Sequence, residues 1–563
     1  MAPRLPPRAV LNLLFAGFTL RWMGLERLGL WLDEGATWSW TRLPTWGETA
    51  LAEANHPPAW WLVTRAFTSW LGDSEEVLRL PAALCSVLTI WLAWCLGRRL
   101  LMPSHAPRRG GFLPPGDDAD GQRAATWFTG FIAASAFLIE LGQEARMYAL
   151  LVAQSLGLVL LWLRWLDRGS RGTLVAYALL AAVALYTHYF ALWPILSVAA
   201  HAAWLAWRTR RAPPGERVPL RPVVVAHAVA ALLFAPWVAF LLGHYEGMHR
   251  ATHSALGALA VLAWRVGIGP ALVAFDAGRA GQGVAGVWAQ DGLWVATSVL
   301  LWVPLVLRGA WSLRRRPGVG PLVGCMLAVP VLGVLALLPW FMLVHERYLC
   351  FVAPWLWLLA LLGAWSLGPR LRALGLAALG LLCALGLCAY HLTGTGMVAV
   401  GGGPVVGGYP TPTAVVPDPQ DPARVLHRGT PYGKEPWREA AQLVHAYSAD
   451  GDLVLLHPPF LRLVWDYYGR TRTGGALETA TLPAEVPGEQ ALLDTLGPRL
   501  RDRKRVFLVV SHAPSLPPEA VYERIYKVVG AAWHAAGAGG FEASRLIPLQ
   551  RSWGIHVAIF RRT

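Results

Sequence analysis

Apolar runs near the length that crosses a bilayer as a helix, about 20 residues, recur through the first two thirds of the chain. They cover 9–30, 77–97, 124–143, 147–163, 172–187, 189–207, 223–242, 291–307, 319–343, 348–367 and 373–391. The pattern predicts eleven transmembrane helices. Only Tyr186, Thr187, His188 and Tyr189 separate the fifth run from the sixth, so that division is the least distinct. After residue 391 the pattern changes. Residues 392–436 are rich in Gly and Pro, as in Gly401-Gly402-Gly403-Pro404, and read as an irregular linker. Beyond it, helical spacing at 437–447, 460–468 and 519–536 alternates with short apolar strands at 452–457, 505–511 and 555–560. Such alternation suggests a small sheet with covering helices. The expected fold is a polytopic α-helical membrane domain over 1–391, a linker over 392–436 and a C-terminal α/β domain over 437–563.

Composition supports this reading. The chain is 55% hydrophobic and 15% charged, against roughly 25% charged in an ordinary soluble domain. Its mean hydropathy is +0.42. These values exclude an ordinary soluble enzyme and a disordered chain. The net charge of +15 suggests a nucleic-acid partner at first, but the basic residues sit in short runs between apolar stretches. Only Lys434, Lys504 and Lys527 are lysines; the rest of the 49 are arginines, a bias typical of a GC-rich bacterial genome.

Charge placement then fixes an orientation. With the N-terminus inside, the cytoplasmic segments hold 21 arginines and the outer connections hold 7, although the latter are longer. Everything after residue 391 is then outside. The N-terminal run follows Arg4 and Arg8 but is long and lacks a small-residue cleavage site, so it reads as a retained span. The six cysteines lie in or beside apolar segments with no zinc-type spacing. No glycine-rich nucleotide loop follows a C-terminal strand.

Candidate chemistry lies at the outer ends of the spans. Asp33 and Glu34 follow the first span directly. Carboxylates at a bilayer edge lose solvation unless paired, which makes them functional candidates; a solvated pair ending a helix is the plainer alternative. The same loop continues to Asn55-His56-Pro57-Pro58-Ala59-Trp60-Trp61, and 38–68 has the Trp and Leu spacing of helices lying in the interface. Pro57 and Pro58 suit the first turn of such a helix. Taken alone, a histidine such as His56 is more often a capping or turn residue than a ligand. Arg146 and Tyr148 follow in the next outer turn. A cation there snorkels or meets an anion, and the planar guanidinium suits phosphate. Further outer turns hold His188 and His345-Glu346-Arg347-Tyr348, and the loop at 243–290 carries His244, Glu246, His249, Arg250 and His253.

In this order and placement the motifs resemble those of bacterial membrane glycosyltransferases of family 39. These belong to the GT-C superfamily, with the protein O-mannosyltransferases and the lipid A aminoarabinose transferase. The matching elements are Asp33-Glu34, His56-Pro57-Pro58, Leu78-Arg79-Leu80-Pro81, Gly97-Arg98-Arg99-Leu100, Glu144-Ala145-Arg146-Met147-Tyr148-Ala149 and Glu346-Arg347-Tyr348-Leu349. The similarity covers most of 1–390. It implies an inner-membrane enzyme working on the extracytoplasmic side. A sugar would pass, with inversion, from a polyprenyl phosphate to a hydroxyl or phosphate of a lipid, glycan or protein acceptor. Asp33 and Glu34 would be catalytic. His56, Arg146, Tyr148, His188, Arg347 and Tyr348 would bind substrate. Some relatives hold a divalent metal through a carboxylate just before the basic residue of the Pro motif. Asn55 stands there, so no cofactor is expected to be required, although a divalent metal remains possible. The competing class is a lipid-linked-sugar flippase or transporter. It would place charges near the bilayer midplane, and here the ionisable residues cluster at span ends.

Overall fold

The structure is a computed structural model. It describes residues 7–26, 29–107, 109, 116–213, 216–244, 266, 283–337, 346–392, 416–417, 425–427, 437–469, 477–511, 516–544, 546–548 and 555–563. Glu246, His249, Arg250, His253, His345 and nearly all of the linker lie outside the described residues. The described chain divides into two compact units. One holds residues between 7 and 25 and between 43 and 392. The other holds those between 26 and 42 and from 416 to the C-terminus.

The first unit is helical. It contains α1 (Arg8–Trp22), α3 (Trp46–Ala50), α4 (Ala59–Leu71), α5 (Glu75–Leu101), α6 (Asp118–Ala134), α7 (Ala136–Gly142), α8 (Tyr148–Arg168), α9 (Arg171–Thr187), α10 (Leu192–Arg208) and α11 (Leu220–His244). Helices Gly283–Ser312, Val319–Leu337, Ala353–Trp365 and Pro369–Leu392 follow, and α2 (Leu32–Thr41) belongs to the other unit. Among the described residues, each apolar run read from the sequence contains or overlaps a helix or a helix pair. Among the described residues, seven helices are long and apolar enough to cross a membrane, or eight if α6 and α7, bent by 55°, form one span. The number falls below eleven partly because α1 has 15 residues and α9 has 17, short for a full crossing. The first run does not stay helical to residue 30. Gly24, at φ 84°, turns the chain just after α1.

Lipid-facing stripes are visible at helical spacing. Leu84, Leu88 and Trp91 are exposed on α5, and Val175, Leu179 and Val183 on α9. Apolar side chains exposed at that spacing mark a surface meant for a non-aqueous partner. By contrast, the windows within α8 and within Arg347–Trp365 are mostly buried. These two segments carry Tyr148, Arg347 and Tyr348.

Two buried polar residues tie the α6–α7 bend to α1. The sequence reading placed ionisable residues at span ends, but Arg21 is fully buried. Its Nε donates to Ser86 Oγ at 2.6 Å, and its guanidinium donates to the carbonyls of Ala133 at 2.9 Å and Ile132 at 3.3 Å. These carbonyls sit where the bend interrupts the helical ladder, so Arg21 supplies donors that a straight helix would have supplied. Gln143 does the converse. Its amide donates to the carbonyls of Leu20, Arg21 and Met23 at the end of α1, and Tyr390 donates its hydroxyl to Gln143 Oε1.

The second unit contains a mixed sheet. Strands β1 (Val416–Pro417) and β2 (Val425–His427) pair separately. The main sheet comprises β3 (Leu453–His457), β4 (Glu478–Thr481), β5 (Arg505–Val510), β6 (Phe541–Ala543), β7 (Ile547–Pro548) and β8 (His556–Arg562). Its order is β4-β3-β5-β8-β6, with β7 also on β8. β3 runs parallel to β4 and β5, while β8 is antiparallel to β5. β3 and β5 are buried along nearly their whole length, as central strands covered on both faces must be. Helices Glu489–Leu500 and Pro518–Ala535 supply Leu492, Leu496, Leu500, Val521, Ile525 and Trp533 to one core with the sheet. Helix Arg462–Gly469 follows β3 and buries Val464, Trp465 and Tyr468.

Candidate functional site

Within the helical unit, four helix breaks bring the sequence-selected residues together. They are the stretch before α4, the turn before α8, the α9–α10 turn and the 3-10 segment Glu346–Val352. The first is pinned by aromatic donors. Trp60 Nε1 donates to the Ala145 carbonyl at 2.9 Å, and the Tyr189 hydroxyl donates to the Ala54 carbonyl at 2.7 Å. Trp237 Nε1 holds that hydroxyl at 3.0 Å. Pro57 and Pro58 lead into α4, the place where a missing amide donor costs least.

His56 bridges an acid and a base. Its Nδ1 meets Glu53 Oε1, and its Nε2 lies 3.4 Å from Arg146 Nη2. A guanidinium only donates, so Nε2 is the acceptor and Nδ1–H gives its proton to Glu53. Arg146 is buried, and its guanidinium carbon stands 5.2 Å from the centre of the Trp61 ring, within cation–π range. The side chain is thus fixed rather than free to snorkel. Glu144 is buried in the same turn.

His188 has the opposite tautomer. Its Nδ1 accepts the backbone N–H of Phe190 at 3.0 Å, so the ring proton of the neutral form is on Nε2. That atom is buried and has no hydrogen-bond partner among the described residues. Burial first, then the neighbouring charges of His56 and Arg146, push the His188 pKa well below its ordinary value. The site therefore presents a neutral N–H donor. Around it lie Tyr348 at 5.3 Å, Phe190 at 5.6 Å, Tyr148 at 5.8 Å and His56 at 6.2 Å between ring centres. Arg347 completes the group, its guanidinium carbon 5.8 Å from the Tyr148 ring centre. The cluster opens α8, whose N-terminal end adds partial positive charge. Two arginines, an unused N–H and a helix N-terminus suit an oxyanion, and aromatic rings surround them.

All six expected binding residues, His56, Arg146, Tyr148, His188, Arg347 and Tyr348, thus share one cluster. Asp33 and Glu34 belong to the other unit, on the first turn of α2. There they part company. Glu34 is buried, and its Oε2 accepts the Trp31 N–H at 3.4 Å, closing the start of the helix. Asp33 is half-buried, and its backbone carbonyl accepts the Thr37 hydroxyl at 3.0 Å.

The sequence reading missed Glu53. A carboxylate does stand against the basic residue of the Pro motif, three positions before His56 rather than at residue 55. That i, i+3 spacing was the available signal. The stacking role of Trp61 was also missed. Glu53 and His56 give only two donors to a metal, and Arg146 already occupies His56 Nε2. Among the described residues no group of three His, Cys, Asp or Glu forms a metal cage.

Comparison with known proteins adds to this geometry. The family model of "Dolichyl-phosphate-mannose-protein mannosyltransferase" matches residues 55–110, the stretch from the Pro motif through α5. The structure of ArnT from Cupriavidus metallidurans in the apo state is similar with a TM-score of 0.54 and 13% identity, covering 98% of this chain and 97% of that one. The same protein bound to undecaprenyl phosphate gives 0.52 over the same shares. The chain has the GT-C fold. No curated protein sequence matches it significantly. In the GT-C framework the matched stretch carries His56, and the remaining cluster residues fall on elements that the whole-chain similarity spans.

Proposed function

We propose that the protein is an inner-membrane glycosyltransferase that moves a sugar from a polyprenyl phosphate to an extracytoplasmic acceptor hydroxyl or phosphate, with inversion. One observation carries the reading: Arg146, Arg347 and the unused Nε2–H of His188 lie in one aromatic cluster of a GT-C fold. A protein with this fold, ArnT, binds undecaprenyl phosphate.

The chemistry follows from charge. For a hydroxyl acceptor, Asp33 takes the proton as the acceptor oxygen bonds to the anomeric carbon. The bond from that carbon to the phosphate oxygen breaks, and the lipid phosphate leaves as an anion. Negative charge grows on its oxygens, where Arg146, Arg347 and His188 donate. His56 holds Arg146 in place, with Glu53 fixing the tautomer that accepts. Tyr148 and Tyr348 wall the sugar-phosphate. The donor is already activated, so no nucleotide is needed. Glu34 secures the first turn of α2 and leaves Asp33 as the base.

The test uses purified protein in lipid nanodiscs. It should bind undecaprenyl phosphate, and should release it from undecaprenyl-phosphate-linked sugars when a lipid or peptide acceptor fraction is added. Neither binding nor release would overturn the reading. Movement of intact lipid-linked sugar between leaflets without release would favour the flippase instead.

A further inference from the structure

The stretch that carries Asp33 is part of the C-terminal unit, although it lies about 400 residues away in sequence. Helices Trp437–Tyr447 and Arg462–Gly469 hold it at three levels. The Tyr468 hydroxyl accepts the backbone N–H of Leu30, at the approach to α2. Arg438 Nη2 donates to the Glu26 carbonyl at 2.7 Å. Helix Arg462–Gly469 touches α2 at Gly35. A Cβ there would fall 2.4 Å from Val464 Cβ and 2.5 Å from Val464 Cα. Contact at that distance is backbone against backbone, so a shift of a few tenths of an ångström meets repulsion. One turn on, Trp38 stands edge-on to Tyr467 with ring centres 5.3 Å apart. Val464 is fully buried in this contact, and Tyr468 nearly so.

These contacts fix both the register and the entry angle of α2. Asp33 is in its first turn, two residues before Gly35 and three after Leu30. A carboxylate on a short side chain goes where that backbone goes. Helices of ten residues have little stability of their own, so α2 depends on the surface it is packed against.

We propose that the C-terminal unit is a positioning device for the catalytic carboxylate, acting on Asp33 through Val464, Tyr468 and Arg438. The inference rests on the transferase reading. These three are positioning residues, since Val464 touches α2 and Tyr468 and Arg438 touch the residues leading into it. Loosening α2 removes the base from its place while the phosphate-binding residues, which belong to the other unit, are unchanged. Turnover then falls and donor affinity does not.

Two variants of the full chain test this, Tyr468→Phe and Val464→Phe. The first removes one hydroxyl from the contact. The second enlarges the residue at the closest approach. Three readouts are needed: release of undecaprenyl phosphate from lipid-linked sugar, binding of undecaprenyl phosphate alone, and amide exchange over 32–41. A misplacement near 1 Å costs up to about a hundredfold in rate. The expected result is a turnover loss of roughly tenfold for Tyr468→Phe and roughly a hundredfold for Val464→Phe. Undecaprenyl phosphate binding should stay within about twofold in both, with faster exchange confined to 32–41. Normal turnover despite faster exchange in 32–41 would overturn the proposal, as would unaltered exchange in both variants. Equal losses of binding, turnover and thermal stability would also overturn it, since they would mean general unfolding. Wild-type protein that releases no lipid phosphate would instead sink the transferase reading, a failure the variants cannot imitate.

Discussion

Replacing Arg146 by Lys keeps the charge and removes the plane. The structure sets the size of the effect. Arg146 is buried, lies over Trp61 at 5.2 Å and reaches His56 Nε2 at 3.4 Å. A lysine ammonium cannot stack flat on the indole and cannot donate to His56 and to a phosphate oxygen along one rigid fork. The lost cation–π contact is worth about 1–2 kcal/mol in a desolvated place, and one charge-assisted hydrogen bond about 1.5–3 kcal/mol. Together these come to roughly 2–5 kcal/mol, or about 30- to several-thousand-fold in affinity at 1.36 kcal/mol per decade. The assay is titration of purified protein in nanodiscs with undecaprenyl phosphate, with thermal unfolding as control. Arg146→Lys should weaken binding by at least about thirtyfold while the melting temperature moves little. Binding within about twofold of wild type would refute the reasoning, because it would mean that Arg146 acts only as a charge. Arg347 gives an internal check. If both arginines hold one phosphate, the double variant loses less than the sum of the single losses, since groups sharing a ligand are not additive. Strict additivity would show two separate roles.

Other outcomes follow from the same geometry. Asp33→Asn should abolish transfer with undecaprenyl phosphate binding intact, whereas Glu34→Gln should keep measurable turnover and lower thermal stability; the reverse pattern would reassign the base. His188→Phe keeps the ring and removes the Nε2 donor, so undecaprenyl phosphate binding should weaken about tenfold or more. Burial holds the folded His188 pKa below its ordinary value, so below about pH 6.5 the unfolded chain takes up a proton that the folded chain does not. Wild-type stability should thus fall as pH drops through that range, and the variant should lose part of this slope; an unchanged slope would contradict a neutral buried ring. Arg21→Met leaves the Ala133 and Ile132 carbonyls without their donors, which should destabilise the protein in detergent by about 2–5 kcal/mol; an unchanged melting temperature would show that lipid or water replaces them.

Hydrophobic periodicity made the helical unit legible, because a span must be apolar for its whole length and nothing local disguises that. Its ends were less legible. The run 9–30 is continuous in composition, yet α1 stops at Trp22 where Gly24 turns the chain. The bend between α6 and α7 left no mark in hydropathy, since the carbonyls it frees are satisfied by Arg21, 112 residues away from Ala133. The C-terminal strands were legible for another reason: β3 and β5 are buried on both faces and so read as unbroken apolar runs. The six candidate residues of the cluster were legible as a set through their topological placement, not singly. Glu53 was not, because an acid three residues before a histidine is common in any turn.

The separation of Asp33 from Glu34 shows why sequence alone could not rank them. Both are acidic, adjacent and at the same depth in the chain. Only the helix that begins between Trp31 and Leu32 distinguishes them. Position N3 of that helix turns the Glu34 carboxylate back to the Trp31 N–H, a capping geometry. Position N2 leaves Asp33 half-buried, with its backbone carbonyl accepting the Thr37 hydroxyl. That helix start is not encoded by residues 31–41 alone. No Ser, Thr, Asp or Asn occupies the N-cap, the residue types that start helices unaided. It is supplied instead by contacts from Tyr468 and Val464, near the far end of the chain. The choice between two neighbouring carboxylates is therefore a tertiary decision, made by contacts far away in sequence.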